Sequence, residues 1–279
     1  MKLAHLILVH TETGQLERLI NHLSHQDADI YIHLDKKTPI GSFEYLKNKK
    51  NIYFIKNRVK VYWGTYSIVQ ATLNGLKEIA ASGKNYQYLN LLSEQDYPLK
   101  SQEFIHNHLS ENPGKAFMYF LPFESEWLEA LPRIHKYHFN NFQIPGRYIL
   151  QRIVNKILPQ RKLPYGLLPV GRSQWFTISM ECVYYIINYW ESHGKLRRFV
   201  KLTWGPDEFI FQTILYNSIH KGKMVNEDLR YIDWSAGGVS PKTFSVHDAD
   251  TLVNSGKLFA RKFDINTDET VLDYIDNSM

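Results

Sequence analysis

The sequence predicts an α/β protein with a mostly parallel central sheet and helices on both faces. Over the first 110 residues, short apolar runs alternate regularly with stretches of helical periodicity, the pattern of strands joined by crossover helices. The first of these runs, "LAHLILVH", is too short to span a bilayer and reads as a strand buried in a core. A chain of 279 residues, 44% of them hydrophobic and 22% charged, can build such a core, as one large α/β domain or two small ones.

The elements follow in order. After "LAHLILVH", the stretch "TGQLERLINHLS" sets Leu16, Leu19, Ile20 and Leu23 at helical spacing. "DIYIHLD" is a second strand that ends on an acid, and "NIYFIKN" a third between lysine-rich turns. "SIVQATLNGLKEIAAS" is a helix capped by Ser67 and closed near Gly83. "YQYLNLLSEQDYP" is a fourth strand running into a loop, and "SQEFIHNHLSENPG" a helix stopped by Asn-Pro-Gly. Ligands of such sheets bind beyond the carboxyl ends of the strands, which here are His10, Asp35, Asn57 and Ser93 to Asp96.

Residues 121–170 are less regular. They hold prolines, aromatics and the basic stretch "RYILQRIVNKILPQRKLPYG", whose Arg147, Arg152, Lys156, Arg161 and Lys162 suit a membrane surface, an acidic partner or plain solvation. Order returns with a strand or two and a helix in "VGRSQWFTISMECVYYIINYW". Then come the helix start "TWGPDEFIFQTIL", a strand "LRYIDW", a short helix near "DADTLV", a strand "LFARKF" and an acidic C-terminal helix. No internal repeat and no low-complexity segment is present.

A net charge of +5 suits an anionic ligand such as a nucleotide diphosphate, or an anionic membrane surface. Nucleic acid is not expected, for there is neither zinc-ligand spacing nor an RNA-recognition signature. The 18 Tyr and 6 Trp offer flat faces to sugar or base rings, and equally to a core. Cys182 is the single cysteine, so no intramolecular disulfide forms, and a cytoplasmic location is expected. Neither a glycine-rich phosphate loop, nor a serine nucleophile elbow, nor H-E-x-x-H occurs. The pairs His22/His25 and His106/His108 lack a third metal ligand. Asp27/Asp29 and Asp248/Asp250 form Asp-x-Asp pairs, but neither follows an apolar strand end. Asp207 and Glu208 stand after a Gly-Pro turn, as first-turn acids of a helix or with one of them a catalytic base.

Five segments, "IYIHLDKK", "VYWGTYSIVQATL", "YLNLLSEQDYPLKS", "GPDEFIFQTIL" and "LFARKFD", occur in this order. Together they resemble the core-2/I-branching β-1,6-N-acetylglucosaminyltransferases and the related peptide O-xylosyltransferases, over Leu3 to about Asp264. The resemblance implies a GT-A-like fold and one glycosyltransferase domain over 1–279, with 1–110 its nucleotide-binding half and 111–279 its acceptor-binding and catalytic half. It implies inverting transfer of a sugar, GlcNAc first among candidates with xylose, galactose or glucose the alternatives, from a UDP-sugar to an acceptor hydroxyl, with no metal or other cofactor.

The resemblance places the base on Glu208, with Asp207 capping the helix or orienting its neighbour. The UDP charge falls to Arg261 and Lys262, with Lys242 near a further cation position. Adjacent strand residues point to opposite faces, so both Arg261 and Lys262 reach a diphosphate only if the strand ends there. Val9, His10 and Thr11 are expected at the uridine with Asp35, followed by Lys36 and Lys37, and Trp63 lines the donor site. Trp234 offers a ring face to the acceptor, and Glu124, Glu126 and Arg133 lie in a region that supplies acceptor-binding charges. Gln174 stands where the xylosyltransferases carry an Asp before the Trp-Phe pair, a departure that points away from xylose. The "SEQDYP" loop is either a structural turn or a sugar contact. The animal enzymes carry many disulfides and a membrane anchor, and this chain shows neither. That implies a bacterial cytoplasmic version acting on lipid-linked or cell-surface saccharide precursors, with peripheral membrane contact one reading of the basic stretch. A non-catalytic glycan- or nucleotide-binding protein is the alternative of another class; the retained "PDE" and "RK" count against it.

Overall fold

The computed structural model describes residues 1–11 and 14–279. The first half runs β1 (Leu3–Val9), α1 (Gly14–Leu23), β2 (Ala28–Leu34), β3 (Ile52–Phe54), α2 (Tyr66–Ala80), β4 (Tyr88–Ser93), β5 (Asp96–Pro98) and α3 (Gln102–Ser110). The second continues with β6 (Ala116–Pro122), α4 (Leu131–His135), α5 (Arg147–Ile157), β7 (Val170–Ser179), α6 (Met180–Ser192), α7 (Gly194–Val200) and α8 (Ile210–Tyr216). It ends with β8 (Met224–Val225), β9 (Arg230–Ile232), α9 (Ala249–Asn254), β10 (Phe259–Arg261) and α10 (Thr270–Asp276).

Seven strands form the main sheet in the order β3-β2-β1-β4-β7-β6-β8. β1 lies parallel to β2 and β4, and β2 to β3. Beyond β4 the sheet turns mixed, because β7 runs antiparallel to both β4 and β6. The strands of the parallel half are buried on both faces, which is why they read as nearly unbroken apolar runs. Alternate residues of β1 feed two cores. Ala4 and Leu6 meet Leu73 and Leu76 of α2, Val183 and Ile186 of α6, and Phe211 and Ile214 of α8. Leu3 and Ile7 meet Leu16 and Leu19 of α1, Ile105 of α3, Leu252 of α9 and Leu272 of α10. The α/β layering with a mostly parallel sheet is as the alternation predicts.

Four local readings are corrected. Thr65, not Ser67, caps α2, its hydroxyl accepting from the Ser67 backbone N–H at 3.2 Å; Tyr66 is already helical, so Ser67 falls inside the first turn. The chain beyond β4 does not stay a loop, because Asp96–Pro98 pairs antiparallel with β10 in a small sheet, β5-β10-β9. The helix after the Gly-Pro turn is broken in two. Pro206–Glu208 forms a 3-10 turn, and Phe209, at φ −145° and ψ −21°, interrupts it before α8 begins. Asp207 consequently caps nothing with its side chain. β6, β8 and α7 were not anticipated from periodicity.

Candidate active site

The carboxyl ends of β1, β2 and β4 open into a cleft of about 1140 Å³, closed on the other side by β7, by the turn that carries Glu208 and by the end of β10. Val9, His10, Asp35, Lys37, Trp63, Arg133, Glu208, Trp234, Arg261 and Lys262 all line it. Thr11, Lys36, Lys242, Glu124 and Glu126 do not.

Glu208 is built into position by close backbone packing. Gly205 carries a left-handed φ of 57°, and a Cβ there would come within 2.8 Å of Arg133 Nη1. Gly171 of β7 lies so near that a Cβ would stand 2.4 Å from the Glu208 carbonyl oxygen and 2.3 Å from Phe209 Cβ. The turn is thus pressed against the sheet, and only glycine permits it. Arg133 Nη1 donates to Glu208 Oε2 at 2.5 Å and reaches the Gly205 carbonyl at 3.4 Å. Its guanidinium is held between two indoles, 4.7 Å from the Trp127 ring and 4.4 Å from that of Trp204. Glu208 Oε1 accepts no hydrogen bond from the described residues, which leaves it open to a hydroxyl in the cleft.

Asp207 is buried beside it, and its Oδ1 has no partner among the described residues. Burial, and then the adjacent Glu208 charge, push the Asp207 carboxyl up to about 7. The two acids therefore differ in environment. Glu208 is half-buried and paired with a cation, whereas Asp207 is dry.

At the far end, β10 stops at Arg261, so Lys262 follows where the strand has ended and both side chains line the cleft. Arg261 stacks 4.1 Å over the Trp175 ring and reaches Asp96 Oδ2 at 3.4 Å. Asp96 is itself fixed by the Ser93 backbone N–H and hydroxyl. The "SEQDYP" loop is in this way the brace of Arg261. Among the described residues, Lys262 Nζ has only the Ser240 hydroxyl, at 3.3 Å. Lys242 is the correction here: its ammonium is bound to Asp248 Oδ1 at 2.6 Å, which raises its pKa, and the side chain stays outside the cleft.

At the strand ends, the carboxylate of Asp35 accepts from the Lys37 backbone N–H at 2.8 Å, and Lys37 Nζ stands 3.4 Å from its other oxygen. Lys36 is exposed and points elsewhere. Glu94 is 2% exposed, and both the His10 N–H and the His10 ring reach its Oε1. The Glu94 hydrogen bond raises the His10 pKa against the cost of burial. Thr11 touches the same carboxylate oxygen at 3.4 Å and stays at the rim. Trp63 is 68% exposed and meets Trp204 edge to face at 5.8 Å. Asn57 is not at the cleft; its N–H is taken by Glu78.

Of the residues expected at the acceptor, Trp234 lines the cleft from the loop after β9. Glu124 and Glu126 are exposed outside it, and the acid that enters is Glu129, ion-paired to Arg172 at 2.7 Å. Sequence reasoning also missed Arg230 and Asp228. Arg230 is 3% exposed and spends its guanidinium on Asn90 Oδ1, the Leu91 carbonyl and the Asp228 carbonyl. Burial lowers its pKa and raises that of Asp228. An acid-acid-x-Arg run entering a strand, "EDLR", was the available signal. Neither Asp-x-Asp pair reaches the cleft. Asp29 is tied to Lys2, Lys84 and Tyr86, Asp248 to Lys242, and Asp250 to Tyr274. Among the described residues, no three His, Cys, Asp or Glu side chains converge as metal ligands.

Xylosyltransferase 2 of Rattus norvegicus is 26% identical over 99% of this chain and 33% of its own length. Xylosyltransferase oxt of Drosophila melanogaster is 26% identical over 92% of this chain and 31% of its own. The chain thus spans about a third of the length of the curated relatives it matches. Among solved structures, residues 1–349 of TarS from S. aureus superpose at a TM-score of 0.34 with 13% identity, covering 66% of this chain and 48% of that one, a likeness too weak to argue from. The model of the core-2/I-branching enzyme family matches residues 3–252, nearly the whole chain, and the protein belongs to that family.

Proposed function

We propose that the chain is an inverting glycosyltransferase that moves a sugar from a UDP-sugar to the hydroxyl of a glycan or lipid-linked saccharide, in cell-surface polysaccharide synthesis. The observation that carries this reading is one cleft that holds both an open, oriented carboxylate, Glu208, and a cationic end at Arg261 and Lys262. Glu208 Oε1 takes the acceptor proton while the acceptor oxygen bonds to the anomeric carbon. The bond from that carbon to the UDP oxygen breaks, its electron pair leaves with UDP, and the new charge is met by Arg261 and Lys262. Attack on the face opposite the leaving group inverts the centre. Uridine is assigned to Val9, His10 and Asp35, with Thr11 left at the rim, and the ring faces of Trp63 and Trp234 to the two sugars.

Metal independence is part of the proposal and is supported by the fixed cations and by the engagement of both Asp-x-Asp pairs elsewhere. GlcNAc is the donor first expected. Xylose is the second reading, supported by the printed names of the relatives and opposed by Gln174, which lines the cleft. UDP release, followed across a panel of UDP-sugars, tests the whole. Glu208→Gln should lose on the order of 10²–10⁴ in turnover while still binding UDP. Turnover that survives this change removes Glu208 as the base, and loss of turnover on chelation removes the metal-free account.

A further inference from the structure

Helix α5 is amphipathic in the wrong sense for a helix packed on its own domain. Its attachment to the body is polar. Gln151 accepts from the Phe139 N–H at 2.9 Å, and Asn155 both accepts from and donates to the Tyr137 backbone, at 2.7 and 2.8 Å. Its apolar residues point away. Ile149, Ile153 and Ile157, four apart and hence in one line along the helix, are 63%, 49% and 73% exposed. None of the residues of α5 is buried. Arg152 and Lys156 run beside this isoleucine line on the same outward side, both exposed. The surrounding charge is one-sided: residues 130–180 contain eight Lys and Arg and no Asp or Glu.

We propose that the outward face of α5 docks on an anionic phospholipid bilayer. The isoleucine line would enter the boundary between headgroups and acyl chains, with Arg152 and Lys156 against the lipid phosphates. An apolar ridge bordered by cations is the chemistry of helices that lie in a membrane interface, and a segment without carboxylates meets an anionic surface without repulsion. A second copy of the chain fits less well. A two-fold contact through this face would bring Arg152 and Lys156 toward their own copies with no acid in the segment to neutralise them. Insertion is interfacial, since among the described residues no helix is long and apolar enough to cross a membrane. The docked segment is also joined to the catalytic region: the His138 N–H bonds the Leu202 carbonyl at 2.9 Å, and Arg161 reaches Thr203 Oγ1 at 3.1 Å, just before the turn of Glu208. The inference does not depend on the sugar-transfer reading.

The test is co-sedimentation of the full chain with phosphatidylcholine vesicles, with and without phosphatidylglycerol. The wild type should partition to the anionic vesicles at least about tenfold more strongly, at roughly fivefold per cation near the surface. Arg152→Glu with Lys156→Glu should abolish that preference, and Ile149→Ser with Ile153→Ser and Ile157→Ser should release the protein from both vesicle types. The same charge change at exposed Lys50 and Lys221, each to Glu, should leave most of the binding intact. Because polar side chains attach the helix, all variants should keep the wild-type circular dichroism and UDP binding. Equal binding by both α5 variants, or equal loss in the Lys50/Lys221 control, overturns the surface. A dimer that falls apart in the isoleucine variant assigns the face to a second copy and overturns the lipid.

Discussion

Asp207→Asn isolates the electrostatic cost of the turn that carries Glu208. The Asp207 carboxyl is buried and lifted from 3.8 to about 7, first by burial and then by the Glu208 charge. The folded chain therefore keeps a proton that the unfolded chain releases near 3.8. A carboxyl raised in this way subtracts nothing from stability below its unfolded value, and its cost grows as pH climbs toward the folded one. At about 1.36 kcal/mol per pH unit, the gap of about 3 units is worth at most about 4 kcal/mol above neutrality. The raised value already includes the relief from Arg133, and Asn has its own amide to desolvate, so about 2 kcal/mol is the expected net gain. Asn matches Asp in shape and cannot ionise. For a chain of this length, 1 kcal/mol moves Tm by about 2 °C. Thermal unfolding of both proteins in buffers from about pH 4 to pH 8 should show nearly equal Tm at the acid end and an advantage of about 4 °C for the variant at the alkaline end. A difference that is constant with pH, or a variant less stable at pH 8, refutes the buried, raised carboxyl.

Two other substitutions probe placements on either side of it. Lys262→Ala should weaken UDP binding about 10- to 100-fold in a calorimetric titration, the worth of a charge-assisted contact, whereas Lys242→Ala, whose ammonium is held by Asp248, should change it little; equal losses would put Lys242 at the diphosphate after all. Gly171→Ala would force a Cβ to 2.4 Å from the Glu208 carbonyl, costing about 1–3 kcal/mol as overpacking against backbone, and should reduce turnover as well as the urea midpoint; wild-type values of both would mean that the closeness of β7 does not set the position of Glu208.

The strand-end part of the cleft was readable because its signals are local. His10 and Asp35 each directly follow the last residue of a strand, and a strand end in a parallel sheet has one address, the edge where ligands bind. Arg261 and Lys262 were named by the family resemblance, and both line the cleft because β10 stops where the alternation would have sent one of them to the other face. The segment after β6 was less so. Glu124, Glu126 and Glu129 stand within six residues in a segment with no periodicity to phase them, and only the last turns into the cleft. Lys242 was misplaced because its direction is decided by Asp248, six residues on, a preference no strand or helix pattern encodes. Arg230 escaped notice because its partners, Asn90 and Leu91, are about 140 positions away.

The same distinction explains why Asp207 and Glu208 read alike in the sequence and have different surroundings in the fold. Two acids after Gly-Pro satisfy a helix N-terminus equally well. What separates them is where the 3-10 turn places them, Asp207 buried and Glu208 lining the cleft. One side chain is driven inward, where burial favours its neutral form. The other emerges beside a guanidinium already clamped between Trp127 and Trp204. Arg133 has little freedom left to lose when it binds Glu208, so the ion pair costs less side-chain entropy than an exposed one. Its bond takes Oε2 and leaves Oε1 open. The base proposed for Glu208 must be fixed in direction yet free at one lone pair, and a clamped arginine on a single oxygen of the carboxylate would supply both conditions.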